Sequence, residues 1–419
     1  MPAVPTPHSN EALHCFSLRY SDTLVNIMER RSFMATAVGA ARALGANDRV
    51  RGGIIGAGGR GKYLTAQFKE LGVEMAAVCD IYEPNLQGGL KAASTGAKPY
   101  DNYKRLLEDK SLDVVIVASP DHWHAQMMID AVEAGKDVYV EKPLAHTIED
   151  GFRMIEAARR TKRVVQVGTQ RRSAELFQEE KKIIDSGALG DVRLVNSWWL
   201  NNTSDITAKP LAGKLDWKQW LGKAPARELD PKVFFNWYWF WDFSGGLLVG
   251  QAAHIMDCIH WFMNSKYPLA VTATGGKVNI RGGVEVPETA TIAVEYPENY
   301  LAVFTLGYKA MRYNMFNDQL KQFHGSKARF DVGRESYAVY PQSNDLEMKP
   351  SMEKKLPHSF DSAARSHIRN FLECVKSRQD PNAPVEAGQY TNVVMCMTME
   401  SLRKGRRMKW NMEARRMEG

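Results

Sequence analysis

Between Val50 and Asp80 the chain reads VRGGIIGAGGRGKYLTAQFKELGVEMAAVCD. A short apolar run, Gly53-Ile54-Ile55, leads into Gly56-x-Gly58-x-x-Gly61. An amphipathic helix follows, and a second apolar run, Met75–Cys79, ends on Asp80, 19 positions after Gly61. A strand before the glycines, a helix after them and an acidic residue about 20 positions on make up the dinucleotide-binding context. Gly56 permits the tight turn, Gly58 and its neighbour Gly59 let backbone N–H groups approach a pyrophosphate, and Gly61 lets helix and strand pack closely. The helix N-terminus adds unpaired donors and a partial positive charge. Asp80 would accept hydrogen bonds from a ribose and repel a 2′-phosphate, which favours NAD; Arg60 keeps NADP open. The bland alternative is a glycine-rich turn in another α/β domain.

Working outward, the pattern keeps alternating. Helices are expected at Pro84–Ser94, His122–Ala134 and Ile148–Thr161, and strands at Asp113–Ala118, Asp137–Val140 and Val164–Val167. Buried apolar runs separated by helices imply a doubly wound parallel sheet covered on both faces, over residues 48–170. From 171 to 411 the character changes. Val192–Leu200 reads as a strand, while Thr289–Tyr296 and Leu301–Leu306 alternate apolar and polar residues. That alternation predicts a mostly antiparallel sheet with one solvated face, carrying a few helices. The helical regions Ser366–Lys376 and Gln389–Arg403 close the chain and are expected to pack back on the first domain.

Size and charge narrow the classes. At 419 residues two or three domains fit, and 44% hydrophobic with 25% charged residues is ordinary for a globular protein. The net charge of +7 is modest, and the basic run Arg403-Lys404-Gly405-Arg406-Arg407 suits a solvated helix end better than a nucleic-acid surface. No apolar stretch is long enough to span a bilayer. The five cysteines make no CxxC pair and read as free, mostly buried thiols. The histidine pairs His122/His124 and His254/His260 lack a third ligand in sequence, so no metal site is expected.

Residues 1–47 read as a leader. Met28-Glu29-Arg30-Arg31-Ser32-Phe33-Met34 followed by an Ala/Gly segment resembles a twin-arginine export signal, with Met28 as a start. Export to the periplasm is the expectation, and an uncleaved cytoplasmic leader the alternative; Arg42 interrupts the apolar part.

A second signal is Glu141-Lys142-Pro143 after a parallel-strand end, beside which ligands of open α/β sheets bind. A lysine there can donate to a substrate hydroxyl and steady a developing alkoxide. Pro143 fixes the chain direction, through a cis peptide if the corner is tight. A plain surface ion pair of Glu141 is the competing reading. With Ser119-Pro120-Asp121-His122-Trp123-His124-Ala125, Ser244-Gly245-Gly246 leading to His254, and Glu386-Ala387-Gly388…Gly405-Arg406, the chain resembles the glucose–fructose oxidoreductase and inositol dehydrogenase family, Gfo/Idh/MocA, from about Asn47 to Asn411.

The resemblance implies a Rossmann domain followed by an open-faced α/β domain that serves substrate binding and oligomerisation, as a dimer or tetramer. It implies that Lys142 orients a sugar hydroxyl beside the nicotinamide and that His254 takes the hydroxyl proton. Ser119, Pro120, His122, Glu141 and Gln170 fall on the cofactor side. Many dehydrogenases of the family carry an Asp four residues before that His; here the position is Gly250. Gln251 and Asp257 are the nearest polar substitutes. Trp241, within the aromatic run Phe234–Asp242, reads as a sugar platform or as packing, and Arg171 as a substrate contact or a junction anchor. The expected activity is hydride transfer between NAD and a CH–OH carbon of a sugar, cyclitol or glycoside. Redox-neutral, NAD-dependent glycoside cleavage is the alternative, and a cofactor-binding protein without catalysis a third.

Overall fold

The computed structural model describes residues 49–203, 205–276, 282–310, 319–345 and 347–419; the twin-arginine segment and Cys15 lie outside them. The chain from Val50 onward forms one compact unit built on two sheets.

The first sheet follows from the opening motif. Strand β1 (Arg51–Ile55) turns at Gly56 into helix α1 (Gly59–Glu70), whose buried residues Gly61, Leu64, Thr65 and Phe68 make one helical stripe against the sheet. Then come β2 (Glu74–Cys79), α2 (Glu83–Ala92), β3 (Lys98–Tyr100), α3 (Tyr103–Leu107), β4 (Val114–Val117), α4 (Asp121–Glu133), β5 (Asp137–Val140), α5 (Ile148–Thr161) and β6 (Val165–Val167). The strands lie parallel in the order β3-β2-β1-β4-β5-β6. The order reverses between β1 and β4, so a crevice opens outside their carboxyl ends. Strand β3 and helix α3 were not anticipated. Lys98-Pro99-Tyr100 carries a proline, which reads as a loop and is tolerated here because the strand is the sheet's edge.

A 3₁₀ turn at Gln170–Ser173 hands the chain to α6 (Glu175–Asp185) and the second sheet. Next follow β7 (Val192–Leu200), α7 (Trp217–Leu221), α8 (Pro231–Phe235), α9 (Gly246–Met263), β8 (Ala270–Gly275), β9 (Thr289–Tyr296) and β10 (Tyr300–Gly307). Then come β11 (Lys321–Gly325), β12 (Ala328–Val332), β13 (Ser336–Pro341), β14 (Met352–Lys355), α10 (Ala363–Ser377), α11 (Val385–Lys404), β15 (Met408–Asn411) and β16 (Arg416–Glu418). The described strands run β14-β13-β12-β11-β7-β10-β9-β8-β15-β16, antiparallel except for the parallel pair β7–β10. Residues on β9 and β10 alternate between buried and accessible. The buried side packs on α9 and α11, where Ile255, Ile259, Val394 and Met397 meet Ile292, Val294 and Phe304.

Helix α10 returns to the first sheet. Its Phe371 sits 6.1 Å from the ring of Phe68 and 6.0 Å from that of Tyr139, inside the core under β1 and β5. Cys79, Cys258, Cys374 and Cys396 are buried free thiols. Among the described residues no helix is long and apolar enough to cross a membrane.

Candidate active site

Two cavities, of about 330 and about 400 Å³, open at the switch point and share Arg60, Ala118, Ser119 and Trp237 in their walls. The first runs along the glycine-rich turn to Asp80. Gly56 has φ +88°, and a Cβ there would stand 2.6 Å from the carbonyl of Ala118. A Cβ on Gly61 would stand 1.9 Å from the carbonyl of Gly56. At Gly59 a Cβ would meet nothing within 4 Å, and at Gly58 only Asn85 at 4.0 Å. Two glycines therefore let the turn close, and two leave the helix N-terminus bare toward the cavity, the cradle a pyrophosphate needs.

Asp80 continues β2 at the far end. Its carboxylate accepts from the amides of Ala57 at 2.7 Å and Tyr82 at 2.9 Å. Burial pushes its carboxyl up to about 6, against the pull of these hydrogen bonds and that of Asn85. Spare lone pairs remain for ribose hydroxyls. Arg60 does not stand with it: its Nε donates to Glu141 at 2.7 Å, at the end of β5, whereas Asp80 ends β2 on the other side of β1 and β4. The residues thus fit a dinucleotide with a free 2′-hydroxyl, and the guanidinium that kept NADP open is directed elsewhere.

The second domain covers this cavity. Tyr82 bridges Leu215, the amide of Glu83 donates to Lys214, and that of Asp216 donates to Ile81. Gln219, Trp220, Phe234, Phe235 and Trp237 wall the cleft opposite the glycines. His122 lies at this seam with Nε2 3.1 Å from the carbonyl of Trp220, held neutral by burial at about 3.

The other cavity collects Lys142, Gln170, Trp237, Tyr238, Gln251 and His254. Lys142 follows β5 and precedes a cis bond to Pro143. Its Nζ donates to the carbonyl of Gly250 on α9 at 3.1 Å. Burial lowers the pKa of its ammonium, opposed by the charges of Glu141 and Asp121. His254 lies one turn beyond Gly250. Its Nδ1 is enclosed without a partner among the described residues, which leaves Nε2 for the cavity. Burial, and then the cations of Lys142, Arg171 and Arg60, hold its pKa well below the ordinary 6.5, so the ring is neutral. The pair can orient a hydroxyl and accept its proton.

Three residues expected near substrate stand elsewhere. Asp257, one turn deeper on α9, is fully buried and takes Arg172 Nε on both oxygens at 2.9 and 3.0 Å. Arg171 is buried among the rings of Phe177, Trp199 and Phe360 and donates to Gln319; its charge lowers the pKa of His254, whose imidazole lies 6.2 Å from the same Trp199 ring. The ring of Trp241 is covered by Arg403 at 4.7 Å, and its neighbours Trp237 and Tyr238 line the cavity in its place. The aromatic run is thus both wall and core, with Trp239, Phe240 and Phe243 buried. Asn85 and Trp220 escaped the sequence reading; a helix starting just after Asp80 was the available signal for Asn85.

Two family models match the chain. The oxidoreductase family's NAD-binding Rossmann fold covers residues 50–169, and its C-terminal α/β domain covers residues 181–410. The chain belongs to the Gfo/Idh/MocA oxidoreductase family. The inositol 2-dehydrogenase of Salmonella typhimurium is 37% identical over 158 residues, 36% of this chain and 47% of that protein. The α-N-acetylgalactosaminidase of Shewanella oneidensis is 37% identical over 123 residues, 27% of each. The match thus spans about half of the curated dehydrogenases and about a quarter of the glycosidase. Among solved structures, levoglucosan dehydrogenase in complex with NADH and levoglucosan superposes with a TM-score of 0.69 at 16% identity, over 86% of this chain and 99% of that one. WlbA dehydrogenase from Bordetella pertussis, with NADH and UDP-GlcNAcA, gives 0.65 at 21% identity, over 87% and 99%. These likenesses establish the shared fold.

Proposed function

We propose that the protein is an NAD-dependent oxidoreductase acting on a CH–OH group of a sugar, cyclitol or glycoside, with Lys142 and His254 as its catalytic residues. The observation that carries this is their convergence in one cavity contiguous with the glycine-rich cleft. Bound NAD supplies the hydride-accepting carbon. Lys142 donates to the substrate oxygen and stabilises negative charge growing there. His254, neutral and with Nε2 free, accepts the hydroxyl proton. Trp237 and Tyr238 offer faces to sugar C–H surfaces, and Gln170, with an unpartnered buried Oε1, offers an acceptor.

A second reading, redox-neutral glycoside cleavage with retained NAD, is favoured by the glycosidase relatives and by Gly250, which sets no carboxylate beside Lys142. Mass spectrometry of products from a sugar and glycoside panel, with and without NAD, separates the two. Products two hydrogens lighter, in step with NADH, support the dehydrogenase. Cleaved glycosides without net NADH support the alternative, and no product from either class removes both. Lys142→Met is expected to lower turnover about 10²–10³-fold.

Two further proposals concern the whole protein. The solvated face of the second sheet supports a homodimer or tetramer, testable by light scattering. Arg30-Arg31 supports twin-arginine export, overturned by a cytoplasmic mature protein that retains both arginines.

A further inference from the structure

Asp121 and His124, one turn apart at the start of α4, have no part in the chemistry above, yet both are buried against the corner that carries Lys142, at 5% and 1% exposure. Nδ1 of His124 lies 2.8 Å from the carbonyl oxygen of Pro143, and Nε2 lies 2.9 Å from that of Ser119. A carbonyl oxygen can only accept. A neutral imidazole has one N–H and one lone pair, so it would satisfy one contact and turn its lone pair on the other oxygen. The remaining histidines avoid this conflict. His122 meets a single carbonyl, while His260 and His367 each have a ring nitrogen on a hydroxyl, which can donate. Among the described residues, His124 alone has both nitrogens on acceptor-only groups.

A second N–H brings a charge that must be matched in a buried place. Asp121 is the carboxyl placed to match it: burial raises its pKa, while the charge of His124, the hydrogen bond from Ser244 Oγ at 2.6 Å and the charges of Lys142 and His146 pull it down toward the ionised form. The other titratable or charged groups around the pair are His122 on the same helix, His146 beyond the corner, and Arg60, Glu141, Lys142 and His254 in the wall of the same cavity.

We propose that His124 is an imidazolium charge-balanced by Asp121, and that this buried pair is a positioning device for Lys142. Its two N–H bonds tie the end of β4, at the cofactor cleft, to Pro143, the residue after Lys142. Ser244 ties Asp121 to the start of α9, which presents Gly250 and His254. One charge pair therefore sets the three backbone segments that converge on the cavity.

The role assigned to Lys142 rests on the function proposed above, whereas the protonation of His124 does not. The test therefore begins without substrate or cofactor. In the full chain labelled with ¹⁵N-histidine, near neutral pH, one ring is expected to show two N–H signals. Both should vanish in His124→Asn, and one should vanish in Asp121→Asn. A His124 ring with a single N–H in the unaltered protein overturns the proposal, even if a variant fails to fold. Amide exchange at Leu144 and Ala145 should quicken at least about tenfold in His124→Asn, as for loss of hydrogen bonds to a charged group. Unchanged exchange there overturns the positioning role. With a substrate from the product panel, kcat should fall at least about tenfold with KM within about threefold.

Discussion

The ammonium of Lys142 donates to the main-chain carbonyl of Gly250, 108 positions away, across 3.1 Å. Because the acceptor is backbone, residue 250 needs no side chain to hold Lys142 toward the cavity. A Cβ built on Gly250 meets nothing closer than Lys142 Nζ at 4.0 Å.

Gly250→Asp should therefore be accommodated. A carboxylate in that space favours the charged form of Lys142 and opposes the lowering that burial imposes. The alkaline limb of the kcat–pH profile should move upward, and the helix should gain only about 0.3 kcal/mol, because aspartate is itself a poor helix former. Turnover profiles and thermal melts check this; an unmoved limb would sink it.

The preference for NAD over NADP should depend on pH. Asp80 titrates at about 6. Above that value its negative charge repels a 2′-phosphate, and below it the repulsion fades. The ratio of NADP to NAD dissociation constants, read by tryptophan quenching, should exceed about tenfold in mildly alkaline buffer and shrink as the pH falls below 6. A ratio near one throughout would contradict the role of Asp80.

Gly61→Ala should cost about 2–4 kcal/mol and at least tenfold in NAD affinity, since its Cβ would overlap the Gly56 carbonyl. Gly59→Ala is the control for stability alone, since its Cβ would have open space within the fold but stand in the pyrophosphate cradle. Urea midpoints of the two should diverge, and equal midpoints would refute the packing account.

Stability should fall in acid. Burial holds His260 at about 3 and His367 at about 4. Unfolded, each takes up a proton near 6.5. Between these values the unfolded state binds more protons, so stability drops as pH falls from about 6.5, by up to about 1.4 kcal/mol per unit for each ring. Asp80, raised in the fold, works in the opposite sense between its unfolded value and about 6. Denaturant midpoints across this range should slope less in His367→Gln than in the unaltered chain, and parallel slopes would exclude the assignment.

The local parts of this molecule were legible in its sequence, the long-range parts less so. Ile148–Thr161 and Val192–Leu200 come out with the bounds expected, because one has a strong amphipathic face and the other a run of strand formers. Lys142 and His254 were named from the family resemblance, on Glu141-Lys142-Pro143 and the double glycine ahead of His254, and both line one cavity. Asp257 misled because spacing on α9 says which face it shares with His254, but not that Arg172, 85 positions earlier, already caps it. Trp241 misled in the same way: five aromatics in a row, Trp237–Trp241, have no period that tells wall from core. The bond between Ser244 and Asp121 joins residues 123 positions apart and leaves no local trace.

The bridge between Tyr82 and Leu215 bears on how the crevice can part. Lys142 to Gly250 and Ser244 to Asp121 are ties made through a side chain. At the adenosine edge, Glu83–Lys214 and Ile81–Asp216 add main-chain bonds, laid like stitches along one seam. These bonds belong to the backbone, so side-chain substitutions along the seam, proline apart, leave them in place, and that edge of the crevice keeps its register whatever residues line it.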